Sequence, residues 1–282
     1  MAKPLLVCQQ RDETITPQFS LFCVGYEASV WRARQLVRDF FRRHLTSFAL
    51  TYSEWKNVDG DSAAAALAKS AKMVYTTDKY QRRGEFGELF LHGILRDFYD
   101  AEPAVSKIYF EDSPNDTAKG FDAVHVVVAP DGELDLWLGE AKLYVNMKSA
   151  ITEIVKSIND HVGSNFLRRE FLAVTNKLDA GWPHADALND LLSENTSLDQ
   201  IVDRIVMPVL LTYKSTAIGN HVGVTPAYKA DLLAEAMTAW TDFSTKLGSK
   251  FPVVIHFIVL PLADTAEVRD LADEALRTYQ EL

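Results

Sequence analysis

The two apolar stretches Phe121 to Ala129 and Leu134 to Tyr144, separated by Pro130-Asp131-Gly132, limit what this chain can fold into more than any other feature. A Pro-Asp-Gly turn between two β-rich runs predicts a hairpin. Side chains alternate between the two faces of a strand. Leu134, Leu136 and Leu138 therefore share a face with Glu140 and Lys142, and Asp122 shares one with Val124, Val126 and Val128. Each of these charges ends an apolar row. With the turn closed at Asp131-Gly132, both charged ends lie far from it. Asp122 and Glu140 then stand at similar height on neighbouring strands. Burying such charges costs several kcal/mol unless they are paired or bound to a metal.

That pattern points to a chemistry. Two adjacent carboxylates repel, and a divalent cation removes the repulsion. Oxygen ligands suit Mg²⁺ or Mn²⁺ better than zinc. An ammonium beside them, Lys142, can orient an attacking water and stabilise charge on a phosphate, which is what phosphodiester hydrolysis requires. A third acid comes from the preceding helix, where Glu88 shares a stripe with Leu91 and Leu95. Glu85 competes for that role, but its first-turn position has a simpler use in favouring the helix N-terminus. The expected catalytic set is Asp122, Glu140, Lys142 and Glu88, with Asp122, Glu140 and Glu88 as metal ligands. The plainer alternatives are a strand ion pair for Glu140 and Lys142, a strand-start residue for Asp122 and a structural ion pair for Glu88. His125 has the opposite parity to Asp122 and is read as structural. His92 is read as hydrogen-bonded to a core group. Tyr144 has the parity of Lys142 and lines either the cleft or the core. Lys148 and Lys156, and beyond them Arg168 and Arg169, offer possible phosphate contacts, with a solvated helix face equally open.

From Gly84 onward the predicted order is helix, three strands, helix, strand, helix, strand, helix. The last strands and helices are Ile205 to Tyr213, Tyr228 to Leu247, Val253 to Leu260 and Thr265 to Leu282. Val105 to Phe110 is the first of the three strands, and Met147 to Val162 the helix after the hairpin. This order implies an α/β sandwich around a mixed sheet. Before Gly84, Phe19 to Tyr26 reads as a strand, Val30 to Leu50 as an amphipathic helix and Ala63 to Ala71 as a short helix. Two regions are therefore expected: an N-terminal α+β region over residues 1–83, a candidate for partner binding, and a core over residues 84–282. The long helix carries Arg32, Arg34, Arg38, Arg42 and Arg43. They are able to meet phosphates, but a solvated face is the favoured reading.

Composition sets the boundaries. The chain has 282 residues and a formal net charge of −10. A dedicated nucleic-acid binder is usually basic, so a nuclease reading has to explain the acidity. Two cysteines, Cys8 and Cys23, without a CxxC pair, argue against a disulfide framework or a cysteine zinc site. No apolar run reaches the length of about 18 residues that a membrane span needs. The N-terminal stretch is too short for a signal peptide, so a cytoplasmic protein is expected.

These residues carry a family resemblance. Asp122 followed by Glu140-Ala141-Lys142 resembles the D…ExK signature of the PD-(D/E)XK nuclease superfamily, whose helical acid is matched by Glu88 after Gly84. The phrases Gly120-Phe121-Asp122 and Gly139-Glu140-Ala141-Lys142 resemble more closely the HamA nuclease subunit of the Hachiman anti-phage system. Gly120-Phe121 stands where the superfamily usually has a Pro before the first acid. The resemblance implies a restriction-endonuclease-like core and a DNA nuclease effector in antiviral defence. It also implies a superfamily 2 helicase partner, the HamB type, and DNA degradation as the response. If the helicase supplies DNA affinity, the acidity is explained. The alternatives are a repair or recombination nuclease of the same fold, typically a small basic dimer, and a non-catalytic interaction module, which would usually have lost a motif residue.

Overall fold

The computed structural model describes residues 3–74, 84–106, 120–161, 164–248 and 252–282. Nine strands are described: β1 (Val7–Asp12), β2 (Gln18–Cys23), β3 (Tyr26–Glu27), β4 (Val30–Trp31), β5 (Glu102–Val105), β6 (Ala123–Val128), β7 (Leu134–Leu143), β8 (Ile205–Lys214) and β9 (Val254–Leu262). The first helices are α1 (Ala33–Ala49), α2 (Tyr52–Lys56), α3 (Ala63–Met73), α4 (Glu85–Phe98), α5 (Met147–His161) and α6 (Ser164–Thr175). Further along come α7 (Ala185–Leu191), α8 (Leu198–Val202), α9 (Thr216–Gly219), α10 (Pro226–Leu247) and α11 (Thr265–Gln280).

Seven strands form one mixed sheet in the order β1-β2-β9-β8-β7-β6-β5. β7, β8, β9 and β2 run parallel, and β1, β6 and β5 are antiparallel to their neighbours. This is the α/β architecture expected from the element order, and it is consistent with a restriction-endonuclease-like fold. The central strands are apolar on both faces, as helix-covered parallel strands must be. Leu210, Leu211, Phe257 and Val259 are fully buried. α4 packs against β7 on one face, with α1 behind it, and α5 packs against β7 and β8 on the other.

Three local differences have physical causes. The helix expected from Val30 starts at Ala33 because residues 26–31 form a hairpin, Tyr26 pairing with Trp31 and Glu27 with Val30. Its two turn residues, Ala28 and Ser29, both have positive φ, the conformation that a tight hairpin twist demands. The strand expected at Val105 to Phe110 lies earlier, at Glu102–Val105, and residues 107–110 fall outside the described residues. Finally, the sheet does not stop at the boundary expected near residue 83. β1 and β2 extend it, with β2 hydrogen-bonded in parallel to β9. β1 is hard to read because its residues Val7 to Asp12 are mostly polar and half-exposed, as suits an edge strand.

Candidate active site

The hairpin register sets the site. Leu138 pairs with Val124 and Gly139 with Ala123, and the Asp122 N–H donates to Gly139 O at 2.8 Å. Asp122 therefore lies across from Glu140, one residue before β6 begins. β7 outruns its partner at this point, which would leave the Ala141 N–H unpaired. Asp122 Oδ2 accepts that hydrogen bond at 2.9 Å, so the end of β6 fixes the carboxylate.

Glu140 is only 3% exposed. Its Oε1 accepts from Ser157 Oγ at 2.8 Å and is paired with Lys142 Nζ at 2.5 Å. Its Oε2 is buried and has no hydrogen-bond partner among the described residues, with His161 Nδ1 at 3.8 Å. Burial, and then the negative charge of Asp122, hold the Glu140 carboxyl above the ordinary glutamate range despite the opposing pull of Lys142. Burial pulls Lys142 down, but the Glu140 and Asp122 carboxylates outweigh it and keep the ammonium above its ordinary value. The trio thus sets two carboxylates beside one ammonium, in a low-dielectric setting where charge interactions are strongest.

Among the described residues, no group of three or more His, Cys, Asp or Glu side chains is placed to hold a metal ion. Two carboxylates are nonetheless a sufficient protein contribution for Mg²⁺, which keeps several waters and binds substrate phosphate. The buried, unsatisfied Glu140 Oε2 beside Asp122 fits that demand. Glu88 stands apart. The Cβ position of its neighbour Gly87 lies 3.5–3.6 Å from Leu143 and Ala141, which point away from Glu140 and Lys142. α4 therefore covers the opposite face of β7, and half-buried Glu88 lies at the same end of the sheet but across it.

Two groups escape a strand-based reading. Ser157 and His161 come from α5, where they continue the stripe of Ala150 and Ile154 at helical spacing. Polar residues in step with a buried stripe are the signal that marks them. His161 stacks on Phe166 at 4.5 Å and meets the edge of Phe121 at 5.0 Å, forming an aromatic wall beside Glu140. The Glu170 carboxylate of α6 comes up against Gly120, where a Cβ would sit 2.8 Å from its Oε2. The histidines read as structural are so: His125 Nε2 lies 3.0 Å from His92 Nδ1, and His92 Nε2 lies 3.0 Å from Ser47 Oγ, all in the core. Lys148, Lys156 and Arg169 are exposed, while Arg168 is committed to the carbonyls of Ser193 and Thr196.

The HamA family profile matches residues 3–276. The chain belongs to the HamA family. It is therefore a protein of the Hachiman defence type. The HamA match covers β1 and β2 as well as the hairpin, so the strands before residue 83 are part of what the family shares. A search of curated proteins found no match. Among the described residues, no helix is long and apolar enough to cross a membrane.

Proposed function

We propose that the chain is a metal-dependent deoxyribonuclease effector of Hachiman defence, acting with a superfamily 2 helicase. The observation that carries the reading is Glu140: a carboxylate buried at the end of an apolar row, with one oxygen unsatisfied, Asp122 opposite and Lys142 paired to it. Structural ion pairs are usually completed, and this one leaves a buried acid wanting a cation.

Asp122 and Glu140 would hold Mg²⁺ or Mn²⁺, which supplies Lewis acidity at a phosphoryl oxygen and a more acidic attacking water. The protein's own groups do the rest. The Ala141 N–H and Ser157 hydroxyl fix the two carboxylates, so no reorganisation is needed when phosphate arrives. The Lys142 ammonium faces developing negative charge on the phosphate and orients the water. Glu88 is assigned an outer role as a supporting base reached round the end of the sheet. Lys148 and Lys156, exposed on the helix after the motif, are assigned to phosphate contact. The acidic balance is consistent with a helicase partner that supplies most of the DNA affinity.

The test is cleavage of DNA with Mg²⁺, with and without chelator, by the chain and by Lys142→Ala, each alone and with the partner helicase. Chelator should abolish cleavage, and the variant should lose about 10²–10³-fold, as when one transition-state donor is removed. A Lys142→Ala protein that cleaves as well as the original would sink the catalytic assignment.

A further inference from the structure

We infer that the outer face of α1 is a second phosphate-backbone contact site, separate from the cleavage site. Three observations on α1 carry this. The helix has 17 residues, and only Arg34, Arg38 and Arg42 are exposed. The other two arginines of this segment are used internally. Arg32 Nε donates to Val24 O at 2.8 Å, and Arg43 forms a two-pronged pair with Asp97 at 2.6 and 2.7 Å. Arg38 and Arg42 form no ion pair among the described residues, and Arg34 meets only the exposed Glu274 at 3.3 Å.

The spacing matters as much as the charge. Residues four apart on a helix lie about 6 Å apart along its axis and on one face. The three guanidiniums thus form a gently winding row in a chain whose formal net charge is −10. Beside the row is a groove of about 350 Å³ lined by Arg38, Arg42, Arg43, Gln35, Asp39 and Leu5. Its one acid is already engaged: Asp39 Oδ2 accepts from the Leu5 N–H at 3.2 Å and pairs with Arg43 at 3.4 Å. Guanidinium is the cation best shaped for phosphate oxygens. No large exposed apolar side chain lies on α1 to anchor a protein partner. A polyanionic backbone fits this surface better than an acidic protein does.

The row starts at the correct end of the molecule. Lys142 is level with Leu211 of β8, which is level with Val259 of β9 and so with Leu21 of β2. The chain leaves β2 at Cys23 and enters α1 at Ala33, so Arg34 sits at the sheet end that carries the trio. The row then runs away along the opposite face. A strand leaving the cleavage site over that edge meets arginine at regular intervals.

This inference rests on the nuclease reading for its substrate, and the experiment separates the two. Fluorescence anisotropy of labelled single-stranded and duplex DNA is measured with the full chain in EDTA, where cleavage plays no part. At about 50 mM salt, Arg38→Ala/Arg42→Ala should weaken binding about tenfold or more. It should also flatten the slope of log K against log salt by roughly 1.5, the loss of two phosphate contacts. Arg38→Lys/Arg42→Lys should retain most of the binding and salt slope, and circular dichroism of both variants should match the parent. Unchanged affinity and slope in the alanine variant would overturn the site. So would intact DNA binding with loss of the partner helicase, which would make this an acidic-protein surface. If the nuclease reading alone fails, Mg²⁺-dependent cleavage is absent while the arginine-dependent binding persists.

Discussion

Glu140 is the residue on which most of the proposed chemistry turns. Its side chain is where the β7 apolar row, the α5 polar continuation and the end of β6 converge. A carboxyl whose pKa is raised in the folded state holds its proton more tightly there than in the unfolded chain. Its ionisation therefore weakens the fold progressively as pH rises through that raised value. A bound cation reverses this penalty. Thermal unfolding should show Mg²⁺ or Mn²⁺ raising Tm, by about 3 kcal/mol of stabilisation at a hundredfold excess over Kd. The rise should fade on acidification at a higher pH than an ordinary glutamate would give, because protons then compete for the site. Glu140→Gln or Asp122→Asn should abolish it; a cation-induced rise that survives in both variants would place the metal elsewhere. The trio itself was legible in the sequence, since parity alone aligns Asp122 with Glu140 and Lys142. Ser157 and His161 were not, because a helix supplies them from across the sheet and nothing local in the strand motif records it.

At the scale of elements, α1 and α4 lie unusually close. A Cβ on Gly93 would sit 2.5 Å from Phe40 Cε1 and 2.7 Å from His44 Cδ2, both buried rings. Alanine is a better helix former than glycine by about 1 kcal/mol, which argues for stabilisation. Overpacking against rings that cannot move costs typically 1–3 kcal/mol, and here it should win. Gly93→Ala is expected to lower the urea midpoint without altering cleavage per folded molecule; a stability equal to or above the parent would show that the helices can part. α4 was legible from its apolar period, with its end within one residue of Tyr99. Within the unassigned span 164–204, α7 and α8 have seven and five residues, too few to show a period, whereas the twelve-residue α6 was simply missed. β5 was misplaced because its Glu102-Pro103 start reads as a strand breaker, a feature tolerated at a sheet edge.

The whole molecule is tied together by neutral imidazoles. Burial pushes His125 and His256 down to about 3 from an ordinary 6.5. The hydroxyls of Tyr99 and Ser20 lie 2.9 and 3.0 Å from His256 Nε2, linking β2, β9 and the end of α4. A histidine with a depressed folded pKa leaves the unfolded chain to take up protons first. Its stability contribution is thus present above pH 6.5 and is lost as pH falls from there toward 3. Urea unfolding should show a falling midpoint across that window, and His256→Gln, though less stable at neutral pH, should flatten the fall; a slope unchanged by that substitution would assign the acid sensitivity elsewhere. The pairing of β2 with β9 has a consequence for synthesis. Val254–Leu262, nearly all apolar, is made long after its neighbour Gln18–Cys23. The nascent chain must keep one edge of β2 open until Val254–Leu262 emerges, so this closure of the sheet is a late, long-range event. Removing the first 83 residues would leave that apolar strand as a bare edge, a template for aggregation rather than a minimal folded core.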